Sequence, residues 1–201
     1  MALLFAKNNS LSAITSLPAS VSGGGLNLIS TQTASSSATI SFTSGIDSTY
    51  KEYIFKFYDV HPSSDSNEFQ VNFSTDGGSN YNVTKTTTIF EAYHKEDGTN
   101  GTLSYASSDD LAQSTSFQPI TRSIGNANDE SASGTLTLFA PSDTNFVKHF
   151  IATTNAYIYS DYTFNEFIAG YCNTTSAINA VQFKMASNNI DSGTIKMYGV
   201  T

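Results

Sequence analysis

From Leu26 to the C-terminus the chain alternates apolar and polar residues with period two, which restricts it to strands that bury one face and solvate the other. Ala38, Ile40 and Phe42 alternate with Thr39, Ser41 and Thr43, and Phe69, Val71 and Phe73 with Gln70, Asn72 and Ser74. Tyr53, Phe55 and Phe57 alternate with Ile54, Lys56 and Tyr58, so this strand is expected to be covered on both sides. Further strands are predicted over residues 86–93, 134–140, 146–153, 162–171, 179–185 and 193–200. Long helix-period segments are absent, and residues 107–113 offer one short turn with Ser and Asp as caps. Asp76-Gly77-Gly78 supplies the positive φ values of a hairpin turn. The expected total is nine to eleven strands. With no repeat of roughly 20–50 residues, propellers and β-helices are disfavoured. The predicted fold is all-β, an antiparallel β-sandwich of jelly-roll-like type, with longer loops at 94–102 and 123–134.

The 14 Phe and 11 Tyr are spread along a chain of 201 residues, enough for one sizeable core, so residues 26–201 are expected to form one sandwich domain. Residues 1–25 differ: they are rich in Ser, Ala and Leu and end in Ser22-Gly23-Gly24-Gly25, an extended arm with a Gly-rich hinge. Leu3, Leu4, Phe5, Leu11, Ile14 and Leu17 are costly to leave in water, so the arm is expected to dock on a neighbouring subunit.

Nine Lys+Arg against 17 Asp+Glu give a net charge of −8, and Arg122 is the sole arginine. No basic stripe can be assembled from this inventory, which argues against nucleic acid and against an anionic membrane surface as partners. No window approaches the roughly 18 apolar residues of a membrane span. The apolar run at residues 2–6 is too short for a signal peptide and no basic region precedes it, so synthesis in a reducing host cytoplasm without export is expected. Cys172, the one cysteine, is expected as a small core hydrophobe. The sequons at Asn8, Asn72, Asn82, Asn100 and Asn173 read as by-products of a Ser/Thr/Asn-rich composition.

Reactive motifs are sparse. His61, His94 and His149 fall in different predicted elements and none forms a His-x-His pair, so no metal site is assigned. His149 reads as a hydrogen-bonded strand residue and His94 as part of a solvated turn. No Gly-x-Ser-x-Gly elbow occurs. Asp59, Glu91, Asp161 and Glu166 lie in or beside strands, the residue type needed for paired-carboxylate glycoside hydrolysis, but the chain has no Trp for a broad sugar platform. Asp97, Asn100, Asp109, Asp110 and residues 126–130 offer oxygen ligands for Ca2+ without EF-hand spacing, and are read as solvated loops. No cofactor is expected.

Several segments carry a likeness. They are Ser44-Gly45-Ile46-Asp47-Ser48-Thr49-Tyr50, Asp76-Gly77-Gly78, Ala92-Tyr93-His94, Gly125-Asn126 with Asp129-Glu130-Ser131, Phe146-Val147-Lys148-His149-Phe150, Ala169-Gly170-Tyr171 with Asn173-Thr174-Thr175, Val181-Gln182-Phe183-Lys184-Met185, and Asn189-Ile190-Asp191-Ser192-Gly193-Thr194-Ile195-Lys196-Met197-Tyr198-Gly199-Val200. Together they resemble a family of β-rich virion structural proteins of marine tailed bacteriophages, of the cyanophage and pelagiphage type, from Leu26 to the end. The resemblance implies a non-enzymatic particle component. The leading expectation is a capsid decoration or head-surface protein anchored through its arm to other phage structural proteins, a homo-oligomer arranged about a three-fold or other axis. The alternative is a tail or fibre adhesion module whose Tyr81, Tyr105, Tyr159 and Tyr162 face a host-surface glycan or protein. An enzyme acting on the cell envelope is the weakest expectation.

Overall fold

The structure, a computed structural model, describes residues 25–201, and the arm residues Leu3, Leu4, Phe5, Leu11, Ile14 and Leu17 lie outside the described residues. Twelve strands follow one another: β1 (Leu26–Ser37), β2 (Ile40–Phe42), β3 (Glu52–Pro62), β4 (Asn67–Ser74), β5 (Lys85–Lys95), β6 (Gly101–Tyr105), β7 (Gln118–Ile124), β8 (Ala132–Phe139), β9 (Lys148–Ile158), β10 (Tyr162–Cys172), β11 (Ala180–Met185) and β12 (Ile190–Val200). Every pairing is antiparallel. A large curved layer runs β1-β12-β3-β8-β9-β10-β5-β6, and a small layer runs β2-β11-β4-β7. The result is a jelly-roll-like sandwich in which the first and last strands lie side by side. The layers meet at one ladder position, Ile124 opposite Ile158, which nearly closes the sheet into a barrel.

Alternation dictates the interior. Phe55 and Phe57 of β3 point inward from the large layer, while Phe42 of β2, Phe69 of β4 and Phe183 of β11 point inward from the small one. Phe183, fully buried, sits 5.5 Å from Phe55, 5.2 Å from Phe57, 5.6 Å from Phe69 and 6.3 Å from Phe42 between ring centroids. Each such ring removes area worth about 1.5–3 kcal/mol from water, and each ring pair adds about 0.5–1.5 kcal/mol. Phe73 on Phe150, at 5.0 Å, repeats the contact between the layers further along β4.

The structure revises several sequence expectations. Among the described residues no second layer covers β3: Ile54 and Lys56 are half-buried and Tyr58 exposed on its outer face. Gly77 and Gly78 have φ of 72° and 89°, but the strands they separate lie in different layers, so the turn crosses the sandwich and does not close a hairpin. Within 94–102, β5 continues to Lys95 and β6 begins at Gly101. Strand β7 was not anticipated: Pro119 and a run of polar residues obscure its alternation. Phe146 precedes β9 and is exposed. Residues 107–109 form the short turn expected there. At Gly193, φ +127° and a position 2.8 Å from Val60 Cα for any added Cβ require glycine where β12 shifts register against β3.

Phe183→Ala is expected to cost about 3–5 kcal/mol, because the surrounding four rings cannot all collapse into the void. Urea denaturation checks it; a loss below about 1 kcal/mol would refute the central role given to this ring.

Candidate functional site

Two surfaces stand out, and the parity of β10 determines both. Its inward side carries Phe164, Glu166, Ile168 and Cys172, and its outward side carries Asn165, Phe167, Ala169 and Tyr171.

On the inward side Glu166 lies directly opposite Glu91 of β5. Arg122, from β7, reaches across the seam between the layers to both. Its Nη2 pairs with Glu91 Oε2, its Nη1 lies 2.6 Å from Asp109 Oδ2, its Nε is 3.9 Å from Glu166 Oε1, and its backbone N–H donates to Glu166 Oε2 at 3.1 Å. Three carboxylates thus surround one guanidinium, and burial pushes the Glu166 carboxyl up to about 7 even though Arg122 works against the rise. Sequence reasoning named Glu91 and Glu166 as possible paired carboxylates, and the fold does bring them together. Asp59 sits apart at a bend of β3 with φ 50°, and Asp161 in the β9–β10 turn with φ 67°. The role of Arg122 had no signal in the sequence beyond its being the sole arginine.

Above this cluster is an open cleft of about 340 Å3 lined by Tyr93, Asn100, Arg122, Ser123, Ser160 and Tyr162, among others. Tyr93 stacks on Phe164 at 5.3 Å and meets Tyr162 edge-on at 5.6 Å, and Asn100 Nδ2 donates to the Tyr162 hydroxyl at 3.3 Å. Aromatic edges beside an amide, hydroxyls and a carboxylate suit a polyol better than an anion, since every Arg122 nitrogen already faces acid. Glu166 is buried beneath the cleft while Glu91, also largely buried, borders it, so the cluster ties strands of both layers together.

The tyrosines singled out in the sequence do not share one surface. Tyr162 lines the cleft and Tyr159 is exposed beside it. Tyr105 lies in β6, not in a loop, and donates to the Asp110 carboxylate on another face. Tyr81 is half-buried and packs against Gly78, its hydroxyl buried and without a hydrogen-bond partner among the described residues.

The outward side is apolar. Phe90 and Phe167, opposite each other on β5 and β10, stack at 4.7 Å, and Tyr105 lies opposite Phe90 on β6. Leu103 is 70 % exposed, Phe146 72 %, Tyr105 56 %, Ile151 51 % and Phe90 45 %. A groove of about 480 Å3 between Thr88, Ile151, Ala169 and Tyr171 continues at His149 into a second hollow of about 570 Å3 walled by Phe146, Val147 and Phe139. Single exposed apolar side chains are ordinary, whereas here they form a continuous stripe across four strands among the described residues.

The remaining polar candidates are occupied within the chain. Cys172 is buried between Lys85 and Lys148, its cross-strand neighbours, and burial pushes its thiol up to about 12. Lys85, fully buried, donates to Asn72 Oδ1 at 2.7 Å and to the Val83 carbonyl at 2.8 Å, and desolvation brings its amine down to about 8. Asp97 engages Lys95 and Thr99, Asp110 engages Tyr105, and Glu130 accepts from the Ala127 N–H. Among the described residues no group of three or more His, Cys, Asp and Glu side chains is placed to hold a metal, and no helix is long and apolar enough to cross a membrane. His149 is exposed on β9 beside Tyr171, and His94 belongs to β5, not to a turn. No protein-family model matches the chain, and no curated protein matches it.

The Glu166 carboxyl titrates higher in the folded chain than in the unfolded chain. The stability this contributes is therefore complete below about pH 4.5 and is lost as pH rises to about 7. Urea denaturation between pH 5 and pH 8 is expected to show the wild type losing on the order of 2 kcal/mol that Glu166→Gln does not lose; parallel curves would refute it. Arg122→Met is expected to cost about 3–5 kcal/mol at pH 7 by stranding buried carboxylates, and a neutral result would contradict the seam-closing role.

Proposed function

We propose that the chain is a non-enzymatic structural protein of a tailed-bacteriophage particle, a capsid decoration or head-surface subunit that acts by docking. The observation that carries this reading is the exposed apolar stripe from Leu103 to Phe146 on an otherwise hydroxyl-rich, acidic molecule. Such a surface is stable in water only when something covers it, while net charge −8 resists unspecific sticking. The reading is supported further by the sequence resemblance to virion proteins and by carboxylates and a thiol kept out of solvent. Residues 1–25 serve as the anchor to the underlying shell protein, which leaves the sandwich to repeat over the surface.

A second reading, an adhesion module of the tail or a fibre, is favoured by the cleft at Tyr93, Asn100 and Tyr162 with exposed Tyr159 beside it, which fits a host-surface glycan. Quantitative mass spectrometry of purified particles, with immunogold labelling, separates the two. Many copies per particle with label over heads is the expected result. A handful of copies with label at tails would replace the first reading by the second, and absence from particles would overturn both.

A further inference from the structure

The large layer ends in two strands with one neighbour each, β1 and β6. Strand β1 is managed as an edge: its register breaks between Leu28 and Ser30, Ser36 adopts φ 49°, and the Asn189 side chain caps the Ser36 carbonyl at 3.0 Å. Strand β6 has none of these devices. Gly101-Thr102-Leu103-Ser104-Tyr105 contains no charge and no proline, and it pairs with β5 without a register break.

The direction of its hydrogen-bonding groups follows from its neighbours. Lys95 N–H donates to the Asn100 carbonyl at 2.8 Å and Ala106 N–H to the Ile89 carbonyl at 3.0 Å, so even-numbered positions turn their main-chain groups toward β5. Gly101, Leu103 and Tyr105 therefore aim their N–H and C=O groups away from the molecule, and among the described residues nothing pairs with them. The same three positions carry their side chains on the apolar face, level with His94, Ala92 and Phe90.

We infer that β6 pairs antiparallel with β6 of a second copy of this chain about a two-fold axis at Leu103, extending the large layer from one subunit into the next. This names a partner surface for the assembly reading and rests on it. Leu103 exchanges both main-chain hydrogen bonds with its own mate, and Gly101 does so with Tyr105 of the second copy. The strand is self-complementary in shape as well: each Tyr105 ring lies over a glycine, the two Leu103 side chains meet at the axis, and the two Phe90 and Phe167 stacks become one apolar surface. Ser104 is committed elsewhere, donating to Glu91 from the inward side, so pairing leaves the carboxylate cluster untouched.

Sedimentation velocity of the full chain over about 1–500 μM, with amide hydrogen exchange on the same samples, tests this. A concentration-dependent dimer is expected, with protection of the Leu103 amide rising as dimer forms. Leu103→Lys and Tyr105→Lys, checked for intact β-sheet by circular dichroism, are expected to weaken the dimer at least about tenfold, and removal of residues 1–24 to leave it intact. A monomer at every concentration overturns the inference. So does a dimer without new Leu103 protection, a dimer indifferent to folded lysine variants, or one that vanishes with residues 1–24. An overturned pairing in a chain abundant on particles refutes only the β6 contact, whereas a β6 dimer absent from particles refutes only the virion reading.

Discussion

Everything else in the molecule depends on Phe183 being surrounded by rings from both layers. Among the described residues, backbone hydrogen bonds join the strands of the two layers only around the β7–β9 seam, so elsewhere side chains hold them together, and five phenylalanines from β2, β3, β4 and β11 meet at one point. Aromatic rings suit this task because two χ angles position a large area at modest entropic cost, and edge-to-face contacts fix the spacing of the sheets. Once the layers are fixed, each inward residue of β5, β9 and β10 has an assigned depth. The row Glu91, Glu166 and Thr154 then meets the side chain of Arg122 from the other layer.

That arginine occupies the place where backbone pairing is thinnest, since β7 and β9 share a single ladder position. A buried ion cluster seldom adds stability relative to a well-packed apolar one, because the desolvation of each charge is large. What it adds here is direction. A guanidinium that must face Glu91, Asp109 and Glu166 at once admits one placement of β7, whereas a leucine in its position would tolerate several. Burial pushes the Glu166 carboxyl up to about 7, so near neutral pH it is only partly ionised and the single guanidinium faces less negative charge than three ionised carboxylates would bring.

The all-β class, the sandwich and six of the strand segments lying beyond residue 80 were legible because period-two alternation is local. Strands β6 and β7 were not: Gly101-Thr102-Leu103-Ser104-Tyr105 has two apolar residues, and β7 begins with Gln118-Pro119, where proline normally argues against a paired strand. Glu91 and Glu166 were legible as candidate carboxylates, but their cross-strand register is a long-range property that no local pattern encodes. Tyr81 misled for a related reason. A tyrosine in a turn region looks like a ligand platform, yet only the fold shows its hydroxyl buried against Gly78. Lys85 and Lys148 gave no warning of burial, because a lysine inside a strand reads as the solvated half of the alternation, whereas here each stands in phase with the inward residues, Lys85 with Ile89 and Lys148 with Phe150.

Strand β10 binds the two halves of the site together through parity. Glu166 faces the seam because Phe167 faces out, and Cys172 is buried because Tyr171 lines the groove. A slip of one residue against β9 would put Phe167 and Tyr171 inside and expose Glu166, undoing the interior cluster and the apolar stripe together. The turn that prevents the slip is short, with Asp161 held at φ 67° and its N–H bonded to the Ile158 carbonyl at 3.0 Å. An apolar outer face is therefore no accident of loose packing that drift could remove residue by residue. Its Phe167, Ala169 and Tyr171 are presented by the same strand, in the same register, that places Glu166 at the seam.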